Sequence, residues 1–98
     1  MDRYVQLANA IVMRAANDYR VALCNKHTYQ KTAMSNKHHY KKLIEAERMI
    51  SDVERFFMGD VIKMYTEADG SYIMKMLKKE VVEYGYDIKM LKKLHNLD

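Results

Sequence analysis

Apolar residues recur along this chain at steps of three and four, and that spacing predicts helices throughout. The clearest run is 40–60, YKKLIEAERMISDVERFFMGD, around which we expect the rest of the chain to pack. A second long run with the same spacing covers 3–24. We therefore predict an all-α fold, a small bundle of three to five helices, with helices at about 3–24, 36–58, 60–67, 71–84 and 86–95.

Interruptions in the spacing place the predicted helix ends. Residues 25–37, NKHTYQKTAMSNK, carry no apolar period, so we predict a loop there. Ser35 or Asn36 can cap the helix that follows, because either side chain accepts a hydrogen bond from a free backbone N–H. The turn sequence ADGS at 68–71 separates two later helices. Gly85 either breaks or bends the last helix, and the sequence leaves both alternatives open.

The same spacing assigns the side chains that we expect to form the core, on the more apolar face of each helix. Glu47 and Glu54 fall on or beside the apolar face of the second helix. A buried charge needs a partner, so we expect these carboxylates to pair with Arg14, Arg20 or a tyrosine of the first helix. The expected core comprises Tyr4, Leu7, Ala8, Ile11, Ala15, Tyr19, Ala22, Leu23, Tyr40, Leu43, Ile44, Ile50, Val53, Phe56, Phe57, Tyr72, Ile73, Met76, Leu77, Val81 and Tyr84.

Length and composition indicate how many domains the chain forms and in which compartment it is found. The chain has 98 residues, 49% of them hydrophobic, with no proline and three glycines, which suits a single helical domain spanning 1–98. A core this small is often completed by association, so we expect a homo-oligomer. The single cysteine, Cys24, excludes an internal disulfide and indicates a reducing compartment. The reducing compartment predicts a cytoplasmic location. No apolar run approaches the ~18 residues of a membrane span, so we predict no membrane contact.

The net charge of +4 permits an anionic partner and excludes an acidic mimic of DNA. Residues 25–42 are the most basic part of the N-terminal half. Six lysines between 75 and 93 can contact phosphates, and the alternative is that they only keep the surface solvated. Residues 77–94 also match a helix-turn-helix in part, with Gly85 at the turn, but Glu80 is charged where that motif wants an apolar residue.

The sequence carries no catalytic or metal-binding signature. Di-metal sites in helical bundles use Glu-x-x-His, whereas Ile50 and Phe57 stand three residues after Glu47 and Glu54. No nucleophile elbow, phosphate-binding loop or dinucleotide fingerprint occurs. We therefore predict no catalytic residue, no metal and no cofactor, and a protein that is not an enzyme.

Three segments carry a resemblance to known proteins: LANAIVMRAANDYR at 7–20, ERFFMGD at 54–60 and DGSYIMKMLKKEV at 69–81. They are similar to short, uncharacterised helical proteins of phages, prophages and mobile elements of Gram-positive bacteria. The likeness covers most of residues 7–82. It implies an accessory protein that acts inside an infected or lysogenic bacterium and counters host defence by binding an effector protein, a nucleic acid or a nucleotide signal.

The leading hypothesis is a non-enzymatic protein that sequesters a nucleotide signal or engages nucleic acid. Arginines and lysines would supply positive charge, and tyrosines would supply stacking surfaces. The alternatives are a DNA-binding regulator of helix-turn-helix type and a protein–protein inhibitor of a host defence complex. The candidate ligand-binding residues are Arg14, Tyr19, Arg20, Glu47, Arg48, Glu54, Arg55, Tyr72, Lys75, Lys78 and Lys79.

Overall fold

The structure, a computed structural model, describes the backbone of residues 3–97 and the side chains of residues 9–97. These residues form four α-helices and one short 3-10 helix, so the prediction of an all-α fold is confirmed for them. The elements in chain order are α1 (Arg3–Gln30), α2 (Lys37–Met58), the 3-10 helix (Val61–Met64), α3 (Gly70–Glu83) and α4 (Ile88–His95).

The first two helices form a long antiparallel hairpin. Asn25 lines the same groove as Lys42, and Ile11 lines the same groove as Phe56, so the two helices run past each other in opposite directions. The 28 residues of α1 span about 42 Å at 1.5 Å per residue, which accounts for most of the 49 Å length of the molecule. The other two dimensions are 27 and 21 Å.

The predicted loop at 25–37 is wrong over its first half. Helix α1 continues to Gln30, and the connection occupies only 31–36. Residues 25–30 are helical although their apolar residues have no regular spacing, because side chains in these last turns contact other parts of the fold. His27 stacks on Tyr86 with ring centroids 3.9 Å apart, and Tyr29 lies against His39 across the hairpin.

Local capping chemistry sets three of the helix starts. Asn36 accepts a hydrogen bond from the backbone N–H of His39 at 3.0 Å, so the predicted cap of α2 is confirmed. Asp69 accepts from the N–H of Ser71 in the same way, and Asp87 accepts from the N–H of Met90. The predicted helix at 60–67 is one turn of 3-10 helix, shorter than expected.

Helix α3 begins in direct contact with the end of α2. A Cβ on Gly70 would lie 1.8 Å from the carbonyl oxygen of Phe57, so only glycine permits this approach. The buried face of α3 is a narrow strip formed by Gly70, Leu77 and Val81. Leu77 joins Phe57 and the buried Tyr19 in the main core cluster.

Helix α4 folds back against α1 and closes a second, smaller core cluster. This cluster contains Cys24, Val81 and Leu91, all shielded from solvent. Gly85 and Tyr86 both adopt left-handed backbone angles, with φ of 64° and 58°. The helix therefore ends before Gly85, and the chain reverses direction there. The predicted helix at 86–95 therefore starts two residues later, at Ile88.

Several of the predicted core positions are wrong because the buried strips are narrower than the apolar patterns. Tyr40 and Ile44 are exposed on α2, where Ala46, Val53 and Phe57 carry the buried face. Two residues correspond to 200° of rotation, so Ile44 points nearly opposite to Ala46. The expected core residues Tyr72 and Met76 on α3, and Tyr84 directly after it, are exposed as well. The predictions for Tyr4, Leu7 and Ala8 lie outside the described side chains.

None of the helices described here combines the length with the apolar character that a bilayer crossing requires.

Candidate functional site

Tyr19 and Glu54, two of the predicted binding residues, form an internal hydrogen bond. Tyr19 is completely buried and donates its hydroxyl to Oε2 of Glu54 at 2.6 Å. Burial raises the pKa of the Tyr19 phenol well above its usual value, and the hydrogen bond and negative charge of Glu54 raise it further. Lys78 adds an ion pair to the same carboxylate at 3.5 Å. The expectation that Glu54 pairs with a group of the first helix is confirmed. Tyr19, Glu54 and Lys78 therefore bind one another inside the fold.

Arg20, another predicted binding residue, is held in a polar network between three helices. Only 8% of Arg20 is exposed, and its Nε donates to Oε1 of Glu80 at 2.6 Å. A second guanidinium nitrogen donates to Oδ1 of Asn17 at 2.7 Å, and Nε2 of His95 lies 3.1 Å from both oxygens of Glu80. Arg20 therefore does not pair with Glu47 or Glu54, because α3 places Glu80 beside it.

Sequence reasoning missed Glu80 and His95 as partners of Arg20. Glu80 did give a signal, since it is charged where the helix-turn-helix pattern of 77–94 wants an apolar residue. His95 gave none, because its approach to Glu80 depends on the reversal of the chain at Gly85 and Tyr86.

The remaining predicted binding residues do not converge on one site. Glu47 is exposed, so the prediction that it faces the bundle interior is wrong. Arg55 is exposed and lies 3.7 Å from Asp52 on its own helix. The other exposed members of the set are distributed over three helices: Arg14 on α1, Arg48 on α2, and Tyr72, Lys75, Lys78 and Lys79 on α3.

A different surface concentrates unpaired positive charge, the tip of the α1–α2 hairpin at residues 25–44, which we call the cationic tip. Five of the seventeen Lys and Arg residues of the chain fall within it, and none of the thirteen Asp and Glu residues does. The rest of the chain holds twelve basic and thirteen acidic residues, so it is close to neutral. The positive net charge of the protein is thus located at one end of the hairpin.

The fold keeps the lysines of the cationic tip at the surface. Lys26 lies on the last turns of α1, Lys31 on the connection, and Lys37 and Lys41 on the first turns of α2, and all four are exposed. Among the described residues, none of these four has a carboxylate within ion-pair distance. Lys42 is half-buried and lies 3.8 Å from Glu45.

The cationic tip also carries an aromatic ring beside an open hollow. Residues 33–37 and Tyr40 line this hollow, which has a volume of about 640 Å³. Tyr40 is 54% exposed, so its side chain is open to solvent. Oγ1 of Thr32 and Nδ1 of His39 are hydrogen-bonded at 2.6 Å, which links the connection to the first turn of α2. The tip therefore combines free ammonium groups with an exposed aromatic side chain.

A second cleft, of about 400 Å³, lies over Arg20 and is lined by Lys79, Glu80, Glu83 and Tyr84. Its two carboxylates balance its two basic side chains, so it does not favour an anion as the cationic tip does. Within residues 9–97, no group of three His, Cys, Asp or Glu side chains is placed to hold a metal ion.

Neither a protein-family model, nor a curated protein, nor a solved structure matches this chain.

Proposed function

We propose that the protein is a non-enzymatic binding protein whose cationic tip engages the phosphates of a nucleic acid. The observation that carries the proposal is the set of five lysines at the tip without a carboxylate among them. Four of these lysines are exposed. In the bundle below the tip, Arg20 and Lys78 are paired with carboxylates, and such pairs have little charge left for a ligand.

The number of free lysines sets the expected salt dependence. Each phosphate that a lysine neutralises releases condensed counterions, with a slope in log K of about −0.9 per contact on a duplex and about −0.7 on a single strand. Four contacts therefore give a slope of roughly −3 to −3.5, and raising the salt fourfold weakens binding by about two orders of magnitude.

The exposed ring of Tyr40 favours a single strand over a duplex. Bases of a single strand are free to stack on an aromatic side chain, and such stacking contributes about 1–3 kcal/mol per base. Lys37 and Lys41 lie three residues before and one residue after Tyr40, within one turn of the same helix. A base on the ring and its flanking phosphates can thus be engaged together.

In its biological setting, we propose that this binding counters bacterial host defence, as the resemblance to phage and prophage proteins implies. The bound molecule would then be a nucleic acid that a defence system uses, or a nucleotide signal. A mononucleotide offers fewer phosphates than four lysines can engage, so the tip suits a polymer better.

Binding of a fluorescent single-stranded oligonucleotide, measured by anisotropy at several salt concentrations, tests the proposal. The doubly substituted variant Lys37→Glu, Lys41→Glu removes charge from the tip and is expected to lower affinity at low salt by at least about 100-fold. The matched control Lys75→Glu, Lys79→Glu makes the same change in net charge at exposed positions of α3. We expect the control to lower affinity by less than about tenfold, through long-range charge alone.

Equal losses for the two variants would contradict a site at the tip and would favour the lysines of α3. A thermal shift with cyclic or linear nucleotides, without binding of the oligonucleotide, would favour a nucleotide signal instead. A preference for duplex DNA that is lost in the variant Lys89→Glu, Lys93→Glu, at exposed positions of α4, would support the helix-turn-helix alternative. Stable co-purification with a host protein, with indifference to nucleic acid, would support the inhibitor of a defence complex.

A further inference from the structure

A second surface feature lies at the far end of α2 from the cationic tip. It is a cleft of about 610 Å³ between the end of α2 and the start of α3, which we call the acidic cleft. Helix α2 has 22 residues, so about 30 Å of helix separates this cleft from the tip. The lining residues are Phe57, Met58, Gly59, Ile62, Lys63 and those at 66–71.

The acidic cleft combines apolar and negatively charged side chains. Met58 lines it and is 62% exposed, and Phe57 and Ile62 of the lining are core residues only 2% exposed. Val61 and Met64 are exposed at the same end of the fold, at 52% and 79%. Glu67 and Asp69 belong to the same lining and are exposed, and neither has a basic partner among the described residues. Lys63 is the basic residue of the lining, and its ammonium group lies 3.2 Å from Asp60.

The cationic tip presents the complementary features on a convex turn. Met34 is 96% exposed, the most exposed large apolar side chain of those described. Lys31 and Lys37 lie three residues before and after it, and both are exposed without a carboxylate partner. The tip therefore offers one apolar side chain between two positive charges, and the cleft offers apolar walls beside two negative charges.

The geometry points to head-to-tail association, in which the cationic tip of one copy of this chain docks into the acidic cleft of another. Met34 would enter the apolar part of the cleft, and Lys31 and Lys37 would face Glu67 and Asp69 of the neighbouring copy. The contact is heterologous, because the two surfaces differ. On a molecule with its two surfaces at opposite ends of a helix, such contacts add copies in an open row.

The size of the two ends limits the strength of this contact. A cross-section of 27 by 21 Å is about 570 Å², below the roughly 800 Å² that each partner contributes to a standard stable interface. We therefore expect weak association that depends on protein concentration and weakens with salt, because its charged pairs are at the surface. This inference does not rest on the proposed function, and it requires only the protein itself.

Sedimentation velocity of the full chain, freed of nucleic acid, tests the inference. At about 50 mM salt and protein up to about 1 mM, the average mass should rise at least twofold above that of one chain, without a plateau at two copies. It should return to one chain at about 0.5 M salt.

Two charge variants make the test specific for a heterologous contact. One is Lys31→Glu, Lys37→Glu at the tip, and the other is Glu67→Lys, Asp69→Asn at the cleft, where asparagine keeps a capping side chain for α3. Each variant alone should remain a single chain. A mixture of the two should associate, because the unchanged lysines at the tip of the second variant meet the unchanged carboxylates in the cleft of the first.

The apolar part of the contact is tested by Met34→Ser, which leaves the charge unchanged. We expect the average mass of this variant to rise with protein concentration at least threefold less steeply than that of the wild type. The circular-dichroism spectrum should not change. Three results would overturn the inference: a wild-type protein that stays a single chain throughout, a plateau at two copies, or a mixture of the charge variants no heavier than either alone.

Discussion

The middle of the bundle and the cationic tip both carry basic residues, and the two regions use them in opposite ways. In the middle, Arg20 is buried and bound to Glu80 and Asn17, and Lys78 is paired with Glu54. At the tip, four lysines are exposed and have no carboxylate partner among the described residues. Positive charge in the middle therefore holds helices together, whereas positive charge at the tip is available to a ligand. The comparison shows that the fold pairs basic side chains between helices in the middle of the bundle and leaves those of the tip exposed to solvent.

The largest expected effect on stability comes from Arg20→Ala. It removes the partner of Glu80 in a buried network, so we expect the free energy of unfolding in urea to fall by about 3 kcal/mol. The matched control is Arg14→Ala, an exposed arginine on the same helix, which should change it by less than about 0.5 kcal/mol. Similar losses for the two variants would remove the distinction between the middle and the surface.

A smaller loss of about 1 kcal/mol is expected for Tyr19→Phe, which deletes the hydrogen bond to Glu54. Tyr19 also gives a pH signature. Because its pKa is raised in the folded state, its contribution is complete below about pH 10, the unfolded value, and is lost as the pH rises above it. Unfolding measured from pH 8 to 11 should show this alkaline loss in the wild type and in the exposed control Tyr72→Phe, but less of it in Tyr19→Phe. Equal pH profiles for all three would contradict the buried role of Tyr19.

Cys24 tests whether the second core cluster beneath the tip is closed. Burial, with a smaller contribution from the negative charge of Asp87, raises the pKa of Cys24 to about 11. The reactive thiolate is then scarce at pH 8, and a disulfide reagent should modify the folded protein roughly 100-fold more slowly than the protein in urea. The raised pKa stabilises the fold below the unfolded value of the thiol, about 9.0, and this contribution is lost as the pH rises toward 11. Rapid modification of the folded protein would show that α4 does not shield this cluster.

The smallest effect on stability is expected at the tip itself. The doubly substituted variant Lys37→Ala, Lys41→Ala removes two unpaired, exposed charges, so the free energy of unfolding should change by less than about 0.5 kcal/mol. A slight increase is favoured, because the tip lysines repel one another. The same variant should reduce the slope of log affinity for a single strand against log salt by about 1.4, or 0.7 per lysine. A large loss of stability would show that these lysines hold the fold together, as Arg20 does in the middle of the bundle.

Local chemistry was enough to predict the helical class and several of the helix starts. Periodic apolar residues predicted α1, α2 and α3, and Asn36 and Asp69 cap their helices as short-range hydrogen bonding dictates. The basic character of 25–42 was also visible in the sequence, although that segment was expected to be mainly a loop. These features depend on residues within a few positions of one another, and that is why the sequence alone determined them.

Only the tertiary structure decided which faces are buried and which charges are paired. Ile44 and Ala46 are both apolar, and it is the position of α1 that buries Ala46 and leaves Ile44 exposed. Arg20 meets Glu80, sixty residues away, because α3 packs beside α1. The free charge of the tip has the same origin, since the hairpin extends lysines away from the carboxylates of the bundle. The sequence determined the helices and the supply of charge, and packing between distant residues decided where charge remains free, because pairing requires neighbours that only the fold provides.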